Sequence, residues 1–153
     1  MKKVFLCNPS EPVVRTKAGL LRGFMFEDLY KFYGIRYARA QRFQRPVAEA
    51  PWEGVRDALG YGLVCPMLND PAPGAGELRV PHRYWPVGED CLFLNVWTPS
   101  LDRSAKKPVM VWIHGGGYSD GSSIEQLAYD GSNLARDGDV VVGSLNNRLN
   151  ILG

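Results

Sequence analysis

Three near-continuous apolar runs constrain the fold of this chain more than any other feature: CLFLNVWTP from Cys91, PVMVWIH from Pro108 and DVVVGSLN from Asp139. Apolar runs without polar alternation are the pattern of strands buried on both faces of an open sheet. Trp97 and Trp112, inside two of these runs, are expected in the core. Between the last two runs, YDGSNLARDGD offers Asp130 or Ser132 as an N-cap and Gly138 as a stop, which predicts one short helix. Strand, loop, helix and strand in that order begin an α/β layered domain.

Upstream, the stretches PVVRT, LLRGFMF and LYKFYGIRY alternate loosely and are rich in Val, Phe and Tyr, as hairpin strands are. From Ala38 to Pro51 the chain turns basic and irregular. Residues 69–90, NDPAPGAGELRVPHRYWPVGED, are so rich in proline and glycine that an extended surface loop is expected. The fold expectation is therefore α/β, with antiparallel N-terminal strands leading into a mixed, mostly parallel sheet, and residues 1–153 forming a segment of one domain. One helix cannot cover both faces of such a sheet, and bare strands would leave apolar faces in water. The chain reads as incomplete as a folding unit.

Composition excludes several classes. Of 153 residues, 45% are hydrophobic and 22% charged, the balance of an ordinary globular protein. The net charge is +2 with the basic residues scattered, so nothing points to nucleic acid. No apolar stretch approaches the roughly 20 residues that span a bilayer. The opening MKKVFLCNPSEP has too short an apolar run for a secretory signal, so the expected location is cytoplasmic, or the chain is a mature one whose targeting segment is not shown. Cys7, Cys65 and Cys91 fit no metal spacing, and an odd number leaves at least one thiol free.

The chemistry concentrates in VMVWIHGGGYSDGSS, Val109 to Ser123. Acyl transfer creates an oxyanion in the transition state, and backbone N–H groups converging on one point stabilise it. Glycines are needed because the turn demands conformations closed to other residues and the substrate must approach the backbone itself. An apolar strand ending in His-Gly-Gly-Gly is the arrangement expected of the loop after the third strand in lipases and esterases, whose donors would be the amides near Gly116 and Gly117. Ser119 sits in a G-x-S-x-G match, Gly117 to Gly121. A nucleophile elbow, however, joins strand directly to helix, and its acid and histidine follow it in the chain. Both histidines, His82 and His114, precede Ser119. Ser119 is therefore read as a loop residue bonding its own backbone, His114 as a brace of the glycine loop, and His82 as solvated. The chain holds half a site, with donors but no nucleophile, acid or base.

Taken together, GEDCLFLNVWTP, PVMVWIHGGGYSDGSS, YDGSNLA, VVVGSLNNRLNILG, FYGIRYA, RFQRP and the tryptophan of PWEG resemble the N-terminal part of the type B carboxylesterase/cholinesterase family of α/β-hydrolases. NNRLN, with Asn147 and Asn150, stands where the family commonly has NYRLG and resembles a bacterial variant of it. The resemblance implies hydrolysis of small carboxylic esters through a serine acyl-enzyme, with neither cofactor nor metal. It assigns the oxyanion hole to Gly116 and Gly117. The serine, acid and histidine would lie in the remainder of the esterase, either as the same chain or as a second polypeptide, so residues 1–153 alone are expected to be inactive. In many members the cysteines at the positions of Cys65 and Cys91 pair, and here a disulfide and two reduced thiols both stay open. An ion pair between Arg42 and Glu89 is implied as a partly buried scaffold contact. Two departures stand out: Arg36 replaces the proline of the family's GIPYA, and the linker from Tyr37 to Arg42 is short. The alternative reading is a non-catalytic, cholinesterase-like module that binds a protein partner, against which the intact glycine loop argues.

Overall fold

Strands rich in Val, Phe and Tyr need hydrogen-bonded neighbours, and this chain supplies them both by local hairpins and by pairing segments far apart in sequence. The computed structural model describes residues 5–68 and 75–153. Its strands are β1 (Phe5–Leu6), β2 (Val13–Arg15), β3 (Leu20–Arg22), β4 (Phe24–Phe26), β5 (Leu29–Arg36), β6 (Ala38–Arg39), β7 (Val47–Ala48), β8 (Val55–Asp57), β9 (Phe93–Thr98), β10 (Val109–Ile113) and β11 (Val141–Leu145), with one helix, α1 (Ser132–Asp137). Six strands form the main sheet in the order β1-β4-β5-β9-β11-β10; β2-β3-β8 form a small second sheet, and β6-β7 a ribbon.

The main sheet is mixed but not mostly parallel. Only β10 and β11 run parallel in it, from Val109↔Val141 to Ile113↔Leu145, and the other neighbouring pairs are antiparallel. The reason is topological: parallel neighbours need a crossover, and among the described residues α1 is the one α-helix available to make it. Neither expected cap residue occupies the helix cap. Gly131 does, because a Cβ there would lie 2.7 Å from Val142 and 2.8 Å from Trp97. The Asp130 carboxylate still accepts from the Ser132 N–H at 2.9 Å, and the Gly138 N–H closes the helix on the Leu134 carbonyl.

Side chains of β5 serve both faces. Leu29 and Tyr33 join Trp97, Ala135 and Val142 beneath α1. On the opposite face Phe32 packs with Leu21 and Ala58, flanked by Ile35, Trp52 and Val96, under the small sheet. Trp97 is 1% exposed and donates its indole N–H to the Tyr33 hydroxyl at 3.1 Å; burial pushes the Tyr33 pKa well above the ordinary phenol value. The β5–β9 register shifts between Phe32 and Ile35, where Gly34 takes φ +63°. The displaced Gly34 N–H finds the Asn95 carboxamide oxygen at 3.0 Å. Asn95 is buried, and its NH₂ reaches the hydroxyls of Ser144 at 3.2 Å and Ser123 at 3.4 Å.

Burial on both faces fails for β10. All five of its residues are exposed, including Trp112, which is 46% accessible and not a core residue. β10 is the outermost strand, with its outer edge and faces left without a covering layer among the described residues. Of the 69–90 stretch, residues 69–74 lie outside the described residues. The rest is more than a loop: it contains a 3₁₀ turn at Ala75–Leu78, a bridge from Val87 to Val64 and another from His82 to Gln126. The basic 38–51 stretch folds around one acid. The Glu49 carboxylate, 6% exposed, meets Arg39 at 2.8 Å, Arg56 at 2.7 Å and Arg36 at 4.0 Å.

Candidate functional site

The glycine segment leaves the sheet where β10 ends and turns at once. The N–H groups of Ser119 and Asp120 both donate to the Gly116 carbonyl, at 3.0 and 3.1 Å, closing a tight turn over residues 116–120. Gly116 (φ +116°), Gly117 (φ +61°) and Gly121 (φ +97°) hold conformations that favour glycine, and Tyr118 is carried into the same region at φ +65°. Gly116 has no alternative, since a Cβ would stand 1.9 Å from the Asp120 carbonyl. Gly117 differs: nothing lies within 4 Å of where its Cβ would be. Among the described residues, neither the Gly116 nor the Gly117 N–H donates to a protein acceptor.

His114 Nδ1 lies 2.8 Å from the Gly115 carbonyl, holding the first residue of the turn back toward the strand. Its Nε2 is buried and, among the described residues, has no hydrogen-bond partner. Ser119 lies inside the turn, with coil rather than a helix after it; the next helical element is a 3₁₀ turn at Leu127–Tyr129. His82 is tethered rather than solvated: its Nε2 stands 3.7 Å from Glu125, whose other carboxylate oxygen accepts from the Ser122 N–H at 3.2 Å. The backbone agrees, since the Arg83 N–H donates to the Glu125 carbonyl at 2.6 Å.

Two hollows flank the turn. One of about 260 Å³ is lined by Ile113, His114, Gly117, Tyr118, Asn147 and Leu149. The other, about 540 Å³, lies between the turn and the 82–87 segment, with His82, Tyr84, Trp85, Asp120, Ser122 and Glu125 on its walls. Gly117 lines the smaller hollow, while the larger, partly aromatic one is reached by the far side of the segment through Asp120, Gly121 and Ser122.

Cys65 and Cys91 are buried in one cluster with Leu149 and Leu152, as free thiols in contact with each other. Cys65 is held below the usual thiol range by the hydrogen bond from Cys91 and by the Leu149 N–H at 3.2 Å. The same contact, with burial, pushes Cys91 up. Arg42 and Glu89 are in bidentate contact, with Arg42 Nε 3.0 Å from both carboxylate oxygens. The pair is a surface one, its side chains 61% and 35% exposed, and not the partly buried contact expected. Arg42 sits in an exposed turn.

Sequence reasoning missed the polar clasp behind the turn. Asn146 accepts from the Ser123 N–H at 2.8 Å and donates to the Leu63 carbonyl at 3.3 Å. Asn150 donates its NH₂ to the Pro66 carbonyl at 2.9 Å and the Ser119 carbonyl at 3.4 Å, and its N–H to the Tyr118 carbonyl at 2.7 Å. The available signal was a pair of asparagines, four apart, in the segment that follows β11.

Residues 10–153 match the profile of the Carboxylesterase family. The chain is 42% identical over 149 residues to phenmedipham hydrolase of Pseudarthrobacter oxydans, covering 94% of this chain and 29% of that protein. It is 39% identical over 145 residues to para-nitrobenzyl esterase of Bacillus subtilis, covering 92% and 28%. Among solved structures, an esterase from anaerobic Clostridium hathewayi that can hydrolyse aliphatic aromatic polyesters superposes with a TM-score of 0.94 at 65% identity, over 99% of this chain and 30% of that one. The chain thus spans under a third of the length of these relatives.

Proposed function

The chain belongs to the carboxylesterase family, and from that premise we propose that it is the N-terminal part of a serine carboxylesterase, to which it supplies the oxyanion hole through the backbone N–H groups of Gly116 and Gly117. One observation carries the reading: both amides lie in a turn closed by its own hydrogen bonds, both lack a protein acceptor, and the space over Gly117 is open. In the proposed reaction a serine outside residues 1–153 attacks the acyl carbon, its proton passes to a histidine, and the carbonyl electrons move onto oxygen. Collapse of that intermediate expels the alcohol, which takes the proton. Water then attacks the acyl-serine by the same route and releases the acid. In both halves the two amides face the oxyanion, each contributing about 3–4 kcal/mol.

The relatives named for para-nitrobenzyl and for aliphatic aromatic polyester substrates support an ester bearing an aromatic ring as the substrate class. The cavity of about 540 Å³ with Tyr84 and Trp85 on its wall suits such a ring. The bare outer edge of β10 supports the placement of the remaining esterase sequence, whether the same chain or a second polypeptide. A further strand beside Val109–Ile113 would pair the free backbone groups, and layers packed on the two faces would cover Val111, Trp112 and Ile113.

The test is intact-mass spectrometry before and after a fluorophosphonate probe, which labels an activated serine. An adduct on sequence outside residues 1–153 is the expected result. An adduct on Ser119 would overturn the assignment. Absence of any adduct on the whole protein would favour the non-catalytic, partner-binding module.

A further inference from the structure

We propose that Asn150 is a positioning residue whose carboxamide and backbone N–H pin the glycine turn and so set the aim of the Gly116 and Gly117 amides. The inference rests on reading those amides as the oxyanion hole. The two hydrogen bonds inside the turn, from Ser119 and Asp120 to the Gly116 carbonyl, fix its shape but not its orientation relative to the sheet. Orientation needs a tie to something outside. Asn150 supplies it, holding the Tyr118 carbonyl at 2.7 Å with its N–H, and the Ser119 carbonyl at 3.4 Å and the Pro66 carbonyl at 2.9 Å with one carboxamide nitrogen.

The Pro66 side of this bridge is anchored. Its neighbour Cys65 is 1% exposed in the cluster with Cys91, Leu149 and Leu152, and accepts from the Leu149 N–H. At the other end of the turn Asn146 repeats the device, joining Ser123 to Leu63. Two carboxamides therefore moor both ends of the glycine segment to the same 63–66 stretch.

The backbone narrows the choice of residue at 150. Asn150 sits at φ +51°, a left-handed conformation that glycine and asparagine adopt at little cost and most residues do not. Glycine would keep the backbone and the bond to Tyr118; asparagine alone adds a donor that reaches two carbonyls. That difference makes Asn150→Gly a clean probe, because it deletes two hydrogen bonds without disturbing φ.

The experiment uses the active esterase that contains this chain. Asn150→Gly is expected to lower kcat about tenfold, to leave KM within about twofold because a ground-state carbonyl barely uses the hole, and to slow fluorophosphonate capture in proportion. Asn150→Asp tolerates the same backbone but sets lone pairs against the Pro66 and Ser119 carbonyls, so a larger fall in kcat is expected. A lowered unfolding midpoint with kcat unchanged in either variant would make the residue merely structural and overturn the proposal. Gly117→Ala, which places a methyl in the open space over the turn, separates the two readings. If it leaves kcat intact, the oxyanion assignment fails and this inference with it. If it lowers kcat while Asn150→Gly does not, only the positioning role fails.

Discussion

Asn95→Ala provides a quantitative test of the buried polar junction at the centre of the sheet. Asn95 is 2% exposed and serves three groups: the Gly34 N–H at the β5 register shift, and the hydroxyls of Ser144 and Ser123. Truncation takes its side-chain acceptor from the part-buried Gly34 amide, which costs about 1–3 kcal/mol. The two hydroxyls lose one weak bond each, at 3.2 and 3.4 Å, and can rotate toward other partners, so they add about 1 kcal/mol in total. The expected loss is thus about 2–4 kcal/mol, read as a lower urea midpoint at unchanged m-value. Asn95→Asp sharpens the test. It keeps an acceptor for Gly34 but buries a carboxyl, whose folded pKa must rise above the unfolded value near 3.9. A raised acid pKa stabilises the fold below the unfolded value, and that contribution is lost as pH rises through the folded one, so this variant should approach wild type at pH 4 and fall behind at pH 7. A loss under about 1 kcal/mol for Asn95→Ala at constant m would refute the reasoning, because the Gly34 N–H would then have another partner.

Other outcomes follow from the same geometry. Arg39, then Arg56, hold the Glu49 carboxyl below its ordinary pKa; its stabilisation is present above that ordinary value and lost as pH falls through the depressed one. Glu49→Gln should therefore lower the thermal midpoint by about 2–4 °C at pH 7 and converge with wild type only as pH falls through the depressed carboxyl pKa, as scanning calorimetry across pH would record. Arg42→Ala removes an exposed pair and should leave the midpoint within about 2 °C; a larger drop would mean the contact is buried in the working protein. A thiol count in denaturant should give three reactive cysteines, with half-buried Cys7 the fastest before denaturation. A count of one would show that Cys65 and Cys91 are bridged.

The glycine turn was legible because its demands are local. Three consecutive glycines after an apolar strand have few structural uses, and the φ values of Gly116 and Gly117 bear out why glycine is needed there. The strands were legible in outline, yet LLRGFMF divides at Gly23 into β3 and β4, which belong to different sheets. A Cβ at Gly23 would meet the Lys31 carbonyl at 2.3 Å, a contact that exists only after β4 and β5 have paired. The exposure of β10 was hidden for a related reason, since an apolar run does not disclose which edge of a sheet it occupies. Asn95, Asn146 and Asn150 were hidden because their carboxamides work on groups 23 to 84 residues away in sequence. Spacing reveals periodic faces; it is silent on which distant carbonyl an amide will reach.

The bare edge of β10 also bears on the chain's biosynthesis. A short, uncharged, β-prone segment with an unpaired rim is what intermolecular sheet growth recruits, and nascent chains crowd such rims together. Lys106, Lys107 and Pro108 stand immediately before Val109, and three glycines follow His114. Charge and proline at one end and flexible, β-poor residues at the other confine the sticky stretch to five residues and make a long cross-chain ladder costly to extend. The glycines that shape the turn thus double as gatekeepers, limiting how far the strand can pair with its own copies.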